Sequence, residues 1–333
     1  MPLCCRAQNR WHFDDAPDLE RDRFVVIGVV MPHLPSRTWI RALVGITVAL
    51  GTFEATRRYR QLASAPALSD TSRALGIDGH HVQAGPWRLF TRSVGAADAP
   101  VVVLVHGLVI SSRYMEPLAR ALADNGYRVL APDLPGYGES ATGTPRRVLS
   151  VEQLADVLDL WLSACAIDKA TFIGNSYGCQ ILTALAVRHP QRVERLVLQG
   201  PTVDPAARSL LPQLWRAVRN GRRERLRSSA GIGRIDYAKA GVWRVLSSIR
   251  RLLHYRIEDH LAAIEAPCLV VQGSRDPVAP PHWGEAVAAR LPKGRLCLVE
   301  GATHTMNYVH PHSFAQLIDD FLREGRRATE VAQ

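Results

Sequence analysis

A serine lies in a short glycine-containing sequence where a strand is expected to pass into a helix. Residues 174–178 read Gly-Asn-Ser-Tyr-Gly, after the strand-like run 170–173 and before apolar residues at helical spacing in 181–185. A serine on so tight a turn has a strained backbone, and the glycines are needed because a Cβ would collide with the neighbouring strand and helix. Ser176 is therefore the leading candidate for a catalytic nucleophile.

A serine nucleophile needs a base that accepts its proton and a carboxylate that orients the base. Both residue types follow further along the chain. The apolar run 268–273 leads into a loop that carries Asp276, and the run 295–299 leads through a glycine turn to His304. His310 and His312 compete with His304, but they flank a proline at the start of the last predicted helix. We therefore predict that Ser176, Asp276 and His304 meet at the carboxyl ends of their strands.

Several segments together resemble the α/β-hydrolase superfamily, from about Gly79 to about Leu322. They are His-Gly at 106–107, Asp-Leu-Pro-Gly-Tyr-Gly-Glu-Ser at 133–140, the turn at 174–178, Gly-Ser-Arg-Asp at 273–276 and Gly-Ala-Thr-His at 301–304. The resemblance implies that Ser176 is the nucleophile, His304 the base and Asp276 the orienting acid. It also implies an oxyanion hole formed by the backbone N–H groups of Leu108 and Tyr177.

The position of the acid has one alternative. Some members of the superfamily carry their acid one strand earlier, and Asp204 follows the predicted strand 194–199. Asp276 is favoured because its Gly-x-x-Asp loop fits the usual position.

From residue 79 onward, predicted strands alternate with predicted helices. The strands lie near 101–105, 128–132, 170–174, 194–199, 268–273 and 295–299, and the helices near 114–124, 151–164, 177–188, 282–290 and 312–323. This alternation predicts an α/β fold with a mostly parallel, doubly wound sheet and a small helical cap insertion. We predict an irregular or helical N-terminal extension over 1–75, a core formed by 76–202 and 264–326, and a helical cap over 203–263.

The predicted cap carries two apolar stripes at helical spacing. Leu214 and Trp215 lie on one stripe, and Trp243 and Leu246 on the other. Most such residues pack a cap onto its core, but in a lid the stripes also cover the active site. We predict that Trp215 and Trp243 contact the substrate, together with Asn175, which directly precedes the nucleophile.

Charge and cysteine content bear on the partners and the compartment. The chain has 333 residues, a net charge of +10 and a pI near 9.7, yet no nucleic-acid-binding motif accompanies the charge. The six cysteines lack metal-ligand spacing, which favours a reducing, cytoplasmic setting. We predict no cofactor, no metal and no nucleic-acid partner, and the oligomeric state is left open.

The N-terminal region leaves two further questions open. The apolar run 42–53 is too short to span a bilayer, so membrane contact through 38–53 is left open but not expected. Membrane association and export are the alternatives to a cytoplasmic location. Met31 is an alternative start of translation.

The expected activity is hydrolysis of a carboxylic ester, or of a similar acyl compound, through an acyl-enzyme on Ser176. The expected substrate is an apolar small molecule. The alternatives are C–C bond hydrolysis of diketone acids, thioester hydrolysis, cofactor-free haloperoxidase or perhydrolase activity, and a catalytically silent binding protein. Asn175 favours the C–C hydrolases, whereas Thr305 stands where those enzymes usually carry a tryptophan.

Overall fold

The computed structural model describes residues 5–7, 37–140, 148–224 and 229–330. The alternative start Met31 and most of the predicted extension before residue 37 lie outside the described residues. The strands are β1 Cys5–Ala7, β2 Asp78–Ala84, β3 Trp87–Val94, β4 Val101–Val105, β5 Arg128–Pro132, β6 Ala170–Asn175, β7 Val193–Gln199, β8 Cys268–Gly273 and β9 Gly294–Val299. The helices are α1 Arg37–Ala63, α2 Asp70–Ala74, α3 Glu116–Asp124, α4 Val151–Ala164, α5 Tyr177–Arg188, α6 Leu210–Glu224, α7 Ala230–Ala240, α8 Val242–His254, α9 Pro281–Arg290, α10 Met306–Val309 and α11 Pro311–Glu330.

The strands form one sheet in the order β1-β9-β8-β7-β6-β4-β5-β3-β2. The pairs β2 with β3 and β3 with β5 are antiparallel, and the remaining pairs are parallel. The predicted fold class is therefore confirmed. Because β4, β6, β7, β8 and β9 run in the same direction, the loops that follow them meet at one edge of the sheet.

Side chains of the central strands alternate between two apolar layers. Val103 and Val105 of β4 pack with α4, α5 and α9 on one face, while Val102 and Leu104 pack with α3 and α11 on the other. Burial on both faces explains why β4 is a continuous run of Val and Leu. The sheet is thus a rigid support for the loops at its edge.

Residues just before β2 are joined to the core by polar contacts. Arg92 donates from Nη2 to the carbonyl of Ala67 at 2.6 Å, and Lys239 donates from Nζ to the carbonyl of Ala65 at 2.7 Å. The Ser72 hydroxyl donates to Glu116 at 2.7 Å. Residues 65–72 therefore contribute contacts to the core and to the cap.

Between β7 and β8 the described chain is mainly helical, with α6, α7 and α8 as its longest elements. Helix α1 packs against α7. None of the helices in the described part of the chain is long and apolar enough to cross a membrane.

Candidate active site

Ser176 occupies the turn between β6 and α5 in a conformation that non-glycine residues rarely adopt. Its φ is +56° and its ψ is −112°. A Cβ on Gly178 would lie 2.4 Å from the Val105 carbonyl oxygen, and one on Gly174 would lie 2.9 Å from the Gly178 carbonyl carbon. The sequence therefore needs both glycines, because the turn brings the backbone of α5 against β4 and β6.

His304 and Asp276 come together from the loops after β9 and β8. The His304 Nδ1 lies 2.7 Å from the Asp276 Oδ2. The Asp276 Oδ1 accepts from the backbone N–H groups of Val278 at 2.7 Å and Ala279 at 3.0 Å, so the carboxylate is fixed by its own loop. With Nδ1–H donating to Asp276, Nε2 is the ring nitrogen that can accept a proton.

The charges around His304 favour its protonated form. Burial of the imidazole alone lowers its pKa, but the carboxylates of Asp276 and Glu224 outweigh this effect, so the pKa of His304 is raised above its usual value. The imidazolium that forms when His304 accepts a proton is thus stabilised by two negative charges.

The core holds the His304 carbonyl through side-chain amides. Gln199, the last residue of β7, donates from Nε2 to the His304 carbonyl at 2.8 Å. The Asn175 Nδ2 donates to Gln199 and lies 3.4 Å from the same carbonyl. Asn175 also lines the cavity beside Ser176. Its amide nitrogen is used within the protein, and its predicted contact with substrate stays a prediction.

Side chains of the cap also hold the His304 loop, and the sequence did not predict this contact. Near the end of α6, the Asn220 Oδ1 accepts from the His304 N–H at 3.2 Å, and the Glu224 Oε1 accepts from the Thr305 N–H at 3.1 Å. The Asn220 Nδ2 also donates to the Glu224 Oε1 at 2.8 Å. The available signal was the row of polar residues Gln213, Asn220 and Glu224 at helical spacing, on the side of α6 away from its exposed apolar residues.

Asp204, the alternative acid, lies in a different set of contacts. Its Oδ2 accepts from the Arg216 Nη2 at 2.9 Å, and its Oδ1 accepts from the Ala206 N–H at 3.0 Å. In the described structure it is Asp276 whose carboxylate contacts His304. The catalytic role of either aspartate remains a prediction.

The loop after β4 lies opposite Ser176 and is shaped by His106. The His106 Nε2 accepts from the Leu134 N–H at 3.1 Å, so its Nδ1 carries the proton and donates to the Gly107 carbonyl at 2.9 Å. Burial lowers the pKa of His106, which keeps it neutral in this structural role. Leu108 lines the cavity, and Tyr177 begins α5, where the first N–H groups have no partner within the helix. Their use as oxyanion donors stays a prediction.

Ser176 and His304 line one cavity of about 300 Å³ between the core and the cap. The cap contributes apolar residues to it, including Leu210, Leu214 and Ile249. No described residue that lines the cavity is Asp, Glu, Lys or Arg. The chamber is therefore suited to a neutral, largely apolar group next to the serine hydroxyl.

Trp215 and Trp243 lie elsewhere than the prediction placed them. They are 60% and 64% exposed, and neither lines the cavity, whereas Leu214 does. The physical reason is that α6 and α8 turn polar residues towards the core, so much of each apolar stripe faces outward.

Comparison with known proteins agrees with the fold. Residues 100–231 match the α/β-hydrolase fold family, and residues 254–332 match the TAP-like family of the α/β hydrolases. A pimeloyl-[acyl-carrier protein] methyl ester esterase from Neisseria meningitidis is 28% identical over 250 residues, which cover 68% of this chain and 94% of the esterase. A 2-hydroxymuconate semialdehyde hydrolase from Pseudomonas sp. is 29% identical over 231 residues, covering 60% of this chain and 78% of the relative.

The crystal structure of a membrane phospholipase A matches with a TM-score of 0.67 and 26% identity. The match covers 86% of this chain and 99% of that protein. Similar proteins are thus hydrolases with different substrates, which supports hydrolysis as the reaction class.

Proposed function

Because the chain belongs to the α/β-hydrolase superfamily, we propose that it is a serine hydrolase that cleaves carboxylic esters with an uncharged, apolar acyl group. The observation that carries this proposal is the shared cavity of Ser176 and His304, with Asp276 hydrogen-bonded to His304. A hydrolase is the class that the relatives support; the serine mechanism and the substrate class are our proposal.

In this mechanism His304 accepts the Ser176 proton at Nε2 while the serine oxygen attacks the ester carbonyl. Asp276 holds Nδ1–H and stabilises the imidazolium. The N–H groups of Leu108 and Tyr177 hold the oxyanion that develops on the carbonyl oxygen. His304 then gives its proton to the leaving alcohol, and later activates the water that releases the acid from Ser176.

Among the described residues, the lining of the cavity has no charged Asp, Glu, Lys or Arg side chain, and this supports the substrate class. A diketone acid carries a carboxylate, and burying it among Leu210, Leu214 and Ile249 without a Lys or Arg partner from the described lining would be costly. An acyl chain gains free energy from the same surroundings. The relatives include a methyl ester esterase and a 2-hydroxymuconate semialdehyde hydrolase at nearly equal identity, so our preference for an ester over the C–C bond of a diketone acid rests on the lining of the cavity.

The decisive experiment replaces Ser176 by alanine. We expect a loss of about three or more powers of ten in kcat towards a soluble acyl ester, with the fold intact, because alanine fits where serine did. A fluorophosphonate probe should label the unmodified protein and fail to label Ser176→Ala. Ser163→Ala, on the exposed part of α4, is the matched control and should retain full activity.

The substrate panel contains acyl esters of varied chain length, a thioester and a diketone acid. Faster turnover of the diketone acid than of any ester would overturn the ester assignment while keeping the serine mechanism. Full activity of Ser176→Ala would overturn the serine mechanism itself.

A further inference from the structure

Helix α6 is amphipathic, but its polar face is turned inward. Its three buried residues, Gln213, Asn220 and Glu224, are all polar. Leu211 and Trp215 point outward and are 77% and 60% exposed. A surface helix of a globular protein normally has the opposite orientation, with its apolar stripe against the core.

Helix α8 has a related arrangement. Two of its three buried residues, Arg244 and Ser248, are polar, and the third is Leu252. Val242 is 74% exposed, and Trp243 and Leu246 are also exposed. Single exposed apolar residues are ordinary, but two cap helices that line the same cavity and both expose an apolar face indicate an interaction surface. We call the exposed side chains of Leu211, Trp215, Val218, Val242, Trp243 and Leu246 the cap face.

The inward polar side chains form hydrogen bonds and ion pairs with the rest of the protein, and these contacts fix the orientation of the two helices. Gln213 donates from Nε2 to the Ala207 carbonyl at 2.9 Å, and Arg216 donates to Asp204 at 2.9 Å. In α8, the Ser248 hydroxyl lies 2.8 Å from the Tyr137 hydroxyl. Rotating either helix to bury its apolar residues would break these bonds and leave polar groups unsatisfied.

The charge of the chain is concentrated in the segment that contains these two helices. Residues 210–254 contain eleven Arg and Lys residues and two acidic residues, and so hold nine of the ten net positive charges. The two acidic residues, Glu224 and Asp236, are buried. Exposed arginines stand among the apolar residues of the cap face, and the Arg219 guanidinium lies 5.0 Å from the centre of the Trp215 ring.

We propose that the cap face docks on an anionic phospholipid surface. Aliphatic and tryptophan side chains enter the interfacial region of a bilayer, while the adjacent arginines contact the lipid phosphates. The same helices line the cavity through Leu210, Leu214 and Ile249, so docking would bring the lipid surface to the helices that enclose Ser176.

Two other occupants fit this surface less well. A second copy of the chain, paired face to face, would bring the arginines of both copies together, and their positive charges would repel each other. A nucleic acid would satisfy the arginines but leave aliphatic residues such as Leu211 and Val242 against phosphates and sugars. A lipid surface satisfies both the charged and the apolar components.

The test measures co-flotation of the full-length Ser176→Ala protein with vesicles, so that no lipid is hydrolysed. We expect binding to vesicles of phosphatidylcholine with phosphatidylglycerol, and at least about tenfold weaker binding to phosphatidylcholine alone, because several arginines each contribute to attraction by anionic lipid. High salt should reduce the difference.

Variants of the cap face separate its two components. Leu211→Ser combined with Val242→Ser should weaken binding to both kinds of vesicle by at least about tenfold. Arg222→Gln combined with Arg250→Gln should remove most of the preference for phosphatidylglycerol. The matched controls are Leu160→Ser on α4 and Arg88→Gln on β3, both exposed and outside the cap, and they should bind as the parent does.

Helix α1 is unchanged in all of these variants, so any contribution from its exposed apolar residues is common to them. The same substitutions are also made in the protein that keeps Ser176. Turnover of a soluble short-chain ester by these proteins shows that each variant is folded. Quenching of tryptophan emission by brominated lipids, reduced in Trp215→Phe with Trp243→Phe, gives an independent measure of insertion.

The proposal fails if the parent does not bind anionic vesicles, or if Leu211→Ser with Val242→Ser binds them equally well. It also fails if these substitutions instead convert a lipid-free dimer into a monomer, which would identify a second copy as the occupant. Preferential binding of nucleic acid at the same arginines would likewise overturn it. Since binding is measured on Ser176→Ala, failure here would leave the proposed ester hydrolysis standing, and loss of that function would leave docking intact.

Discussion

Helices α5 and α6 both border the candidate active site, but they bury opposite kinds of residue. Ten of the twelve residues of α5 are buried, most of them apolar, whereas the three buried residues of the fifteen-residue α6 are polar. Helix α5 packs on a hydrophobic sheet, and α6 packs on loops whose backbone N–H groups need acceptors. Burial of apolar area thus organises the core, while hydrogen bonds to the loop that carries His304 organise the cap.

The largest expected effect lies at the edge of the core, where Asp276 contacts His304. Asp276→Asn should reduce kcat/KM at neutral pH by about three powers of ten, because an amide favours the wrong imidazole tautomer. Asp204→Asn is the matched variant, and should cost less than about tenfold because Asp204 binds Arg216 instead. Steady-state kinetics on a soluble ester decide between them; the reverse order would make Asp204 the acid.

The free energy of unfolding should also distinguish the core from the cap. Leu158→Ala, in the buried layer between α4 and the sheet, should lower the free energy of unfolding by about 3 kcal/mol through lost burial and the cavity left behind. Leu211→Ala, on the exposed face of α6, should change it by less than about 0.5 kcal/mol. Urea unfolding measures both. A large cost at Leu211 would mean that this face is packed against protein.

The same contrast explains what the sequence could predict. Residues 170–178 contain a strand, a glycine-bounded turn and the start of a helix, and each step is a local property, so β6, Ser176 and α5 lie where they were predicted. The sheet then brings the loops of Asp276 and His304 together because parallel strands share their carboxyl edge.

The cap was predictable only in part. The spacing of Leu214, Trp215 and Val218 predicts an amphipathic helix, but the usual burial rule turns this stripe inward. The rule failed for Trp215 because the inner surface is formed by polar groups, among them the His304 and Thr305 N–H groups, from loops about 80 residues away in sequence. Local periodicity contains no information about such distant donors.

Acyl-chain length should distinguish the inner surface of the cap from its outer face. We expect kcat/KM to rise about fourfold for each added methylene until the cavity is full, because the chain leaves water for apolar surroundings. Ile249→Ala should flatten this rise, whereas Val242→Ala should not, since only Ile249 lines the cavity. Esters from acetyl to octanoyl, used below their aggregation concentrations, provide the measurement. A steady fall from acetyl to octanoyl would contradict an apolar acyl site.

The smallest expected effect tests whether α6 influences the base as well as holding its loop. The Glu224 carboxylate raises the pKa of His304, and neutral His304 is the form that accepts the serine proton. Glu224→Gln removes the charge but keeps an oxygen for the Thr305 N–H. The acid limb of kcat/KM should therefore move to lower pH.

The plateau of the same profile should fall by about threefold, because the imidazolium formed during the reaction loses the same stabilisation. Below the pKa of His304 these two changes offset each other, so the two profiles converge on the acid side and separate near neutral pH. Glu285→Gln, which removes an exposed charge from α9, should leave both the limb and the plateau unchanged. A Glu224→Gln profile that is uniformly lowered without a shift would show that Glu224 only supports the loop, and that the charge of the cap does not reach the base.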